Sequence, residues 1–175
     1  SGVPVAVLKE AEDTRVKAAF VLFVTEQGDA LFTRRSENSK HPGEWDLPGG
    51  GVDEGESDEE GARRETMEEI GVDPGDGLII IDAQADPDGV DATTFLQKTK
   101  RFIPRLNPNE HDKYLWAPLT SPPEPMHDGL ARTLHAQAAL GRPWRASSTP
   151  NARWAEPLTG SKASTRLHNA SFERQ

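Results

Sequence analysis

Residues 50–72, GGVDEGESDEEGARRETMEEIGV, join a glycine turn to the most acidic segment of the chain. Ser57 and Glu60 have the spacing of a capping box, in which each side chain accepts a hydrogen bond from a backbone N–H of the first helical turn. Gly71 can end the helix, because glycine readily adopts the left-handed conformation that follows a last turn. The sequence therefore predicts one helix between Ser57 and Gly71.

Three glutamates crowd onto one side of this predicted helix. At about 100° per residue, Glu65, Glu68 and Glu69 fall within roughly a 100° arc. Like charges at this spacing destabilise a helix by about 0.2–0.5 kcal/mol per pair unless a cation lies between them. We expect a divalent cation on this face, while Met67 and Ile70 pack toward the interior.

Two acid–base pairs precede the three glutamates. Glu59 with Arg63, and Glu60 with Arg64, are four residues apart with the acid first, the order that favours ion pairs along a helix. We expect these pairs to stabilise the helix without a chemical role.

The turn before the helix, Pro48–Gly51, carries almost no side chains. Such a backbone can bend sharply and approach a ligand closely, and a helix N-terminus attracts phosphate. A divalent metal on the glutamate face would neutralise phosphate oxygens and lower the pKa of a bound water. The segment is therefore typical of a phosphate-handling metal site.

Charge and composition narrow the metal and the partners. The formal net charge is −9, yet residues 53–69 alone hold nine acids against two arginines, so the acidity marks a local cation site rather than a general surface. Nucleic acid is an unlikely partner for such a site. The chain has no cysteine, so oxygen ligands and hard cations such as Mg²⁺ or Mn²⁺ are expected. No apolar run approaches the length of a membrane span, and no signal pattern begins the chain; we expect a cytoplasmic protein.

Apolar runs separated by turns predict a mixed fold. Ala18–Val24 has the character of a buried strand, and Ala30–Arg35 returns as a hairpin after a turn at Gly28. Strands and helices alternate irregularly, which predicts an α+β or α/β/α sandwich with a mixed sheet rather than a doubly wound parallel sheet. The further predicted elements are strands at 78–82, 93–103 and 114–116 and a helix at 130–140.

The predicted organisation has three parts: an extension at 1–16, a domain at 17–140 and a basic arm at 141–175. The arm has few large apolar residues and cannot form a core alone. It could be a partly ordered arm, or it could bind nucleic acid or a partner, such as a second copy in a homodimer. A binding or assembly module that uses this arm is therefore the alternative to an enzyme.

The spacing of the acidic segment resembles the Nudix box, with an unusual threonine, Thr66, at a position that is commonly aliphatic. The resemblance implies the Nudix α/β/α sandwich and Mg²⁺-dependent hydrolysis of a diphosphate linkage in a nucleoside diphosphate derivative or a nucleoside triphosphate. The matching residues are Gly50, Glu56, Arg64, Glu65, Glu68, Glu69 and Gly71.

The resemblance also implies roles for these residues. Glu65 and Glu69 would be the principal metal ligands, and Glu68 a further ligand or the base, which makes these three the expected catalytic residues. Glu56 and Arg64 would pair to hold the loop against the helix. The positions expected to be structural are Gly50, Gly51, Glu56, Arg64 and Gly71.

The flanking segments are similar to two kinds of Nudix enzyme. His41–Trp45 and the triple glycine are similar to MutT-type nucleotide hydrolases. Residues 109–112 and 114–116 are similar to asymmetrical diadenosine tetraphosphate hydrolases, which implies a metal-site role for Glu110 and base stacking for Tyr114. The other interpretation is that Tyr114 packs a strand and Glu110 lies in a solvated loop. His111 could act as a base, because imidazole titrates near neutrality.

Four residues are candidates for binding a nucleotide-type substrate: Arg34, Arg35, Trp45 and Tyr114. Arg34 and Arg35 could contact phosphate, although neighbouring residues of a strand face opposite sides and one should point away. Trp45 and Phe32 could stack on a base or belong to the core.

Overall fold

The computed structural model describes residues 15–140, which form seven strands and two helices. Nearly all of the predicted extension at 1–16 and the whole predicted arm at 141–175 lie outside this range. The strands are β1 (Val16–Val24), β2 (Asp29–Arg35), β3 (Trp45–Asp46), β4 (Gly49–Gly51), β5 (Ile79–Ala85), β6 (Val90–Lys98) and β7 (His111–Pro118), and the helices are α1 (Asp58–Ile70) and α2 (Asp128–Ala139).

One mixed sheet organises the fold. Its main path runs β3-β2-β1-β6-β5, with β4 paired to β1 and β7 paired to β2. The pair β1–β6 is parallel, and every other strand pair is antiparallel. The predicted mixed sheet is therefore present, although the short strands β3 and β4 were not predicted.

Strand β1 separates two hydrophobic cores. Ala19, Val21 and Phe23 face the cluster that includes Ala62 and Ile70 of α1. The alternate residues Leu22 and Val24 face the cluster that includes Leu130 of α2. Because successive side chains of a strand point to opposite faces, this alternation puts one helix on each face of the sheet.

Helix α1 begins and ends where the sequence predicts. The Ser57 side chain accepts a hydrogen bond from the Glu60 N–H, and the Glu60 carboxylate accepts one from the Ser57 N–H. Gly71 adopts φ 70°, and its N–H donates to the carbonyl of Met67. The expectation for the Met67 side chain was wrong, since it is 47 % exposed, whereas Ile70 is fully buried.

Some predicted boundaries differ from the structure. The strand expected at 93–103 is β6, which ends at Lys98, and Phe102 instead makes edge-to-face contacts with Phe23 and Trp116. The Trp116 indole N–H donates to the Phe102 carbonyl, which holds this segment against the sheet without ladder pairing. Neither helix within residues 15–140 has the length and apolar character needed to span a bilayer.

Candidate active site

Helix α1 and the glycine strand β4 form one wall of a cavity of about 380 Å³. Glu65, Glu68 and Glu69 all line it, and Glu110 reaches it from the segment before β7. The four carboxylates supply the hard oxygen donors that Mg²⁺ prefers, so the donor set fits that ion. The structure thus brings together the four residues that were expected to bind metal.

Glu69 is the most constrained of these carboxylates. It is 7 % exposed, and its Oε2 accepts a hydrogen bond from the Gly49 N–H at 2.9 Å. The same oxygen lies 2.9 Å from Nε2 of His111. The tautomer of His111 decides which of the two groups donates in this contact. His111 Nδ1 is buried and has no hydrogen-bond partner among the described residues, so the contact with Glu69 is the polar contact this ring makes.

Arg64 ties the helix to the glycine turn. Its guanidinium donates to both oxygens of Glu56, at 2.8 and 3.0 Å, and to the Gly51 carbonyl at 2.8 Å. Glu56 also accepts from the Asp53 N–H at 2.9 Å. The hydrogen bonds from Arg64 and then from Asp53 lower the pKa of Glu56 to about 2. The same interaction raises the pKa of Arg64, so the pair stays charged throughout the physiological range.

Glu65 lies half-buried between Arg64 and the glycine strand. Burial raises the pKa of its carboxyl, and the hydrogen bond from Arg64 Nη1, at 2.7 Å, opposes that effect. The neighbouring charges of Glu69 and Glu68 raise the pKa further. A cation in the cavity would relieve this repulsion, as the like-charge spacing along the helix predicts.

The three glycines of β4 have different surroundings. Gly49 has φ 140°, and a Cβ there would lie 2.2 Å from the Ala19 carbonyl oxygen. A Cβ at Gly50 would lie 2.8 Å from Oε2 of Glu65, whereas one at Gly51 would have no neighbour within 4 Å. Gly49 was not singled out from the sequence, yet it is the one glycine of β4 at which the backbone of β1 leaves no room for a side chain.

The residues expected to bind substrate are dispersed. Arg35 lines the carboxylate cavity and pairs with Asp46 at 2.7 Å, whereas Arg34 pairs with Asp112 at 2.6 Å. Trp45 packs against the core on the α2 side. Tyr114 is exposed on β7.

Arg34, Trp45 and Tyr114 line neither this cavity nor a second cavity that adjoins it. Phe32, the other stacking candidate, is fully buried in the core.

A second cavity of about 320 Å³ adjoins the first, and Phe20, Leu47 and Val90 line both. It lies between the sheet and the start of α2, with polar lining from Gln84 and Arg132 among others. The two cavities together form a carboxylate-lined end and an adjoining compartment.

A cluster of two histidines and a glutamate beside the second cavity was not predicted from the sequence. His41, Glu44 and His127 each offer a ligating atom, and these atoms lie within 4.8 Å of one another. It is the one such group of three among the histidines and acids of residues 15–140. His41 and Glu44 are close in sequence, but His127 is more than eighty positions away, so no local spacing could have indicated the cluster.

A family model of the NUDIX domain matches residues 14–137. This chain belongs to the Nudix family. The match covers well over half of the chain and confirms both the family and the fold predicted from the acidic segment. Nudix hydrolases generally use a divalent metal, which agrees with the carboxylate-lined cavity.

Individual relatives support the same family. The chain is 30 % identical to the MutT protein of Methanosarcina mazei Go1, with a TM-score of 0.58, and the match covers 73 % of this chain and 96 % of that one. It is 36 % identical over 61 residues to an RNA pyrophosphohydrolase of Erythrobacter litoralis, which is 35 % of this chain and 37 % of the relative. It is 47 % identical over 55 residues to a Bacillus subtilis protein provisionally named 8-oxo-dGTP diphosphatase, which is 31 % of this chain and 34 % of the relative. The chain thus spans about a third of the length of these two curated relatives.

Proposed function

We propose that this protein is a Mg²⁺-dependent pyrophosphohydrolase that cleaves the diphosphate linkage of a nucleoside triphosphate or another nucleoside diphosphate derivative. The observation that supports it most is the common cavity of Glu65, Glu68, Glu69 and Glu110 beside the glycine strand. When bound there, Mg²⁺, or Mn²⁺ in its place, would neutralise phosphate charge and lower the pKa of a water nucleophile.

The chain's own residues divide the remaining work. Gly49 and His111 hold the Glu69 carboxylate in one orientation. Arg64 fixes the turn of α1 that carries Glu65 and Glu68, because it joins Glu56 and the Gly51 carbonyl. Glu68 and Glu110 are the exposed members of the set, and we assign Glu68 the role of a further metal ligand or of the base.

Substrate size favours a single nucleotide. The adjoining cavity of about 320 Å³ can take the nucleoside end while the phosphates lie against the carboxylates. The names of the two curated relatives, an RNA pyrophosphohydrolase and an 8-oxo-dGTP diphosphatase, also favour substrates of the triphosphate kind. Tyr114, the residue that would have supported a dinucleoside polyphosphate, lines neither cavity.

The experiment is a substrate panel with Mg²⁺ or Mn²⁺: nucleoside triphosphates, 5′-triphosphorylated RNA, sugar nucleotides, ADP-ribose and dinucleoside polyphosphates, each followed by product release. We expect turnover in the triphosphate group. Glu69→Gln, which preserves shape, should lower kcat by roughly a hundredfold or more, because it removes a charged ligand from the metal site. Glu59→Gln changes an acid on the same helix that does not line the cavity, and it should leave kcat unchanged.

Two results would overturn the proposal. Folded protein that turns over none of the panel would exclude pyrophosphohydrolase activity of this kind. Near-normal kcat for Glu69→Gln would remove Glu69 from the metal site. Preferred turnover of dinucleoside polyphosphates would replace the substrate part of the proposal and leave the reaction type intact.

A further inference from the structure

The cluster of His41, Glu44 and His127 lies apart from the Nudix carboxylates. Nδ1 of His41 is 3.9 Å from Oε2 of Glu44, and the two imidazole rings meet edge to face with centroids 5.0 Å apart. His41 and His127 line the second cavity, whereas none of the three residues lines the carboxylate cavity. These are two nitrogen donors and one oxygen donor at a single place.

Backbone hydrogen bonds bring the two halves of the cluster together. The Trp45 N–H donates to the Pro125 carbonyl at 2.8 Å, and the His127 N–H donates to the Trp45 carbonyl at 2.9 Å. These bonds join the segment that carries Glu44 to the start of α2, independently of any side chain. The ligands are therefore held near one another before a cation arrives.

A neighbouring carboxylate supports the His127 ring. Nδ1 of His127 accepts a hydrogen bond from the Gly129 N–H at 3.2 Å and lies 3.7 Å from Oδ2 of Asp46, the same oxygen to which Arg35 donates. Histidines that bind metal through one nitrogen usually donate the other N–H to a carboxylate or carbonyl. Binding of a cation through Nε2 would place the proton of His127 on Nδ1, so that this nitrogen would exchange the Gly129 N–H for the Asp46 carboxylate as its partner.

We propose that His41, Glu44 and His127 bind a transition-metal ion of the Zn²⁺ class, at a site separate from the Mg²⁺ site. Imidazole nitrogen suits Zn²⁺, Co²⁺ and Ni²⁺, whereas Mg²⁺ prefers oxygen ligands alone. Ligands of a tetrahedral Zn²⁺ lie about 3.4 Å apart, so side-chain movements of about 1 Å would close the observed spacing. Three protein ligands leave a fourth position open beside the second cavity.

Such an ion would add a direct link between two segments that already meet through backbone hydrogen bonds and the contact of the two imidazole rings. His41 and Glu44 lie on the loop between β2 and β3, and His127 is the residue before the first turn of α2. Occupancy would fix this side of the second cavity, while the Nudix carboxylates remain free for Mg²⁺.

The test is calorimetric titration of the full chain with Zn²⁺ in the presence of excess Mg²⁺, which occupies the oxygen ligands of the Nudix cavity. We expect one Zn²⁺ per chain. Glu44→Gln and His41→Asn should each weaken Zn²⁺ binding by at least about tenfold. Asparagine is chosen because His41 has φ 56°, a conformation that asparagine tolerates. His127 is left intact because its side chain caps α2.

His135→Gln is the matched control. His135 is an exposed histidine of α2 outside the cluster, so this variant should bind Zn²⁺ as the unchanged protein does. Melting temperatures without metal show that each variant folds. Zn²⁺ binding that survives both Glu44→Gln and His41→Asn, or that excess Mg²⁺ abolishes, would place the ion elsewhere and refute the proposal.

Discussion

Gly49, Gly50 and Gly51 are identical in sequence, yet each has a different reason to lack a side chain. The backbone of β1 closes on Gly49, the Glu65 carboxylate closes on Gly50, and Gly51 faces open space. Adding one methyl group at each position in turn therefore tests whether that glycine is needed for folding or for catalysis.

We expect three different outcomes from alanine at these positions. Gly49→Ala should destabilise the fold by about 1–3 kcal/mol from backbone strain alone, because φ 140° is strained for alanine. The methyl group would also clash with the Ala19 carbonyl, which adds to the loss. Gly50→Ala should fold but lose most activity, since the methyl displaces the Glu65 carboxylate. Gly51→Ala should be as stable as the unchanged protein, because a Cβ there has no neighbour within 4 Å, and any effect on kcat would come from the methyl group in the cavity. Thermal melting and kcat measure all three, and full activity in Gly50→Ala would show that Glu65 need not stay where it lies.

The ion pair of Glu56 with Arg64 predicts a pH-dependent stability. Binding to Arg64 holds the pKa of Glu56 at about 2 in the folded protein, against an ordinary value of 4.5. A lowered pKa stabilises the fold above the ordinary value, and that stabilisation is lost as the pH falls toward the folded value. Glu56→Gln should therefore lower the melting temperature at neutral pH, by a difference that shrinks between about pH 4.5 and 2.

Glu54→Gln provides the control for this series. Glu54 is an exposed acid in the same loop, and removing its charge should change the melting temperature little at any pH. A constant difference between Glu56→Gln and the unchanged protein across the range would mean that the ion pair does not carry the effect.

At the scale of single elements, the capping box of α1 fixes the start of the helix that carries the three glutamates. The Glu60 N–H donates to Ser57 Oγ at 3.2 Å, and the Ser57 N–H donates to the Glu60 carboxylate at 2.8 Å. Ser57→Ala should cost about 0.5–2 kcal/mol of stability, because it leaves one N–H of the first turn without its acceptor. Denaturant unfolding measures the loss, and an unchanged free energy of unfolding would show that water replaces the cap.

Residues within a few positions of one another were predictable at this scale. The capping box, the Gly71 end of α1 and the β1–β2 hairpin each depend on contacts within the segment that forms them. The ion pairs expected for Arg63 and Arg64 were wrong. Arg63 pairs with Asp73 and Asp76 beyond the helix, and Arg64 turns back to Glu56. A long arginine side chain can reach several acids, so its partner depends on the path of the backbone before and after the helix.

At the scale of the whole molecule, the sequence predicted the common face of the α1 glutamates but not the long-range contacts around them. The three glutamates on α1 belong to one helix, so their common face follows from helical geometry. The contact of His111 with Glu69 and the approach of His127 to His41 join segments far apart in the chain, and only the assembled sheet brings them together. Residues that act through such distant contacts give no local pattern.

The parallel pairing of β1 with β6 also delays the completion of the sheet during synthesis. Every residue from Val16 to Val24 pairs with one between Val90 and Lys98, so the middle of the sheet waits for a strand more than seventy residues downstream. During synthesis α1 emerges before β6, the strand that pairs with β1 along its whole length. Closing so long a segment is slow compared with forming a helix. A nascent chain that stops before β6 therefore carries the Nudix signature without the fold that makes it a site.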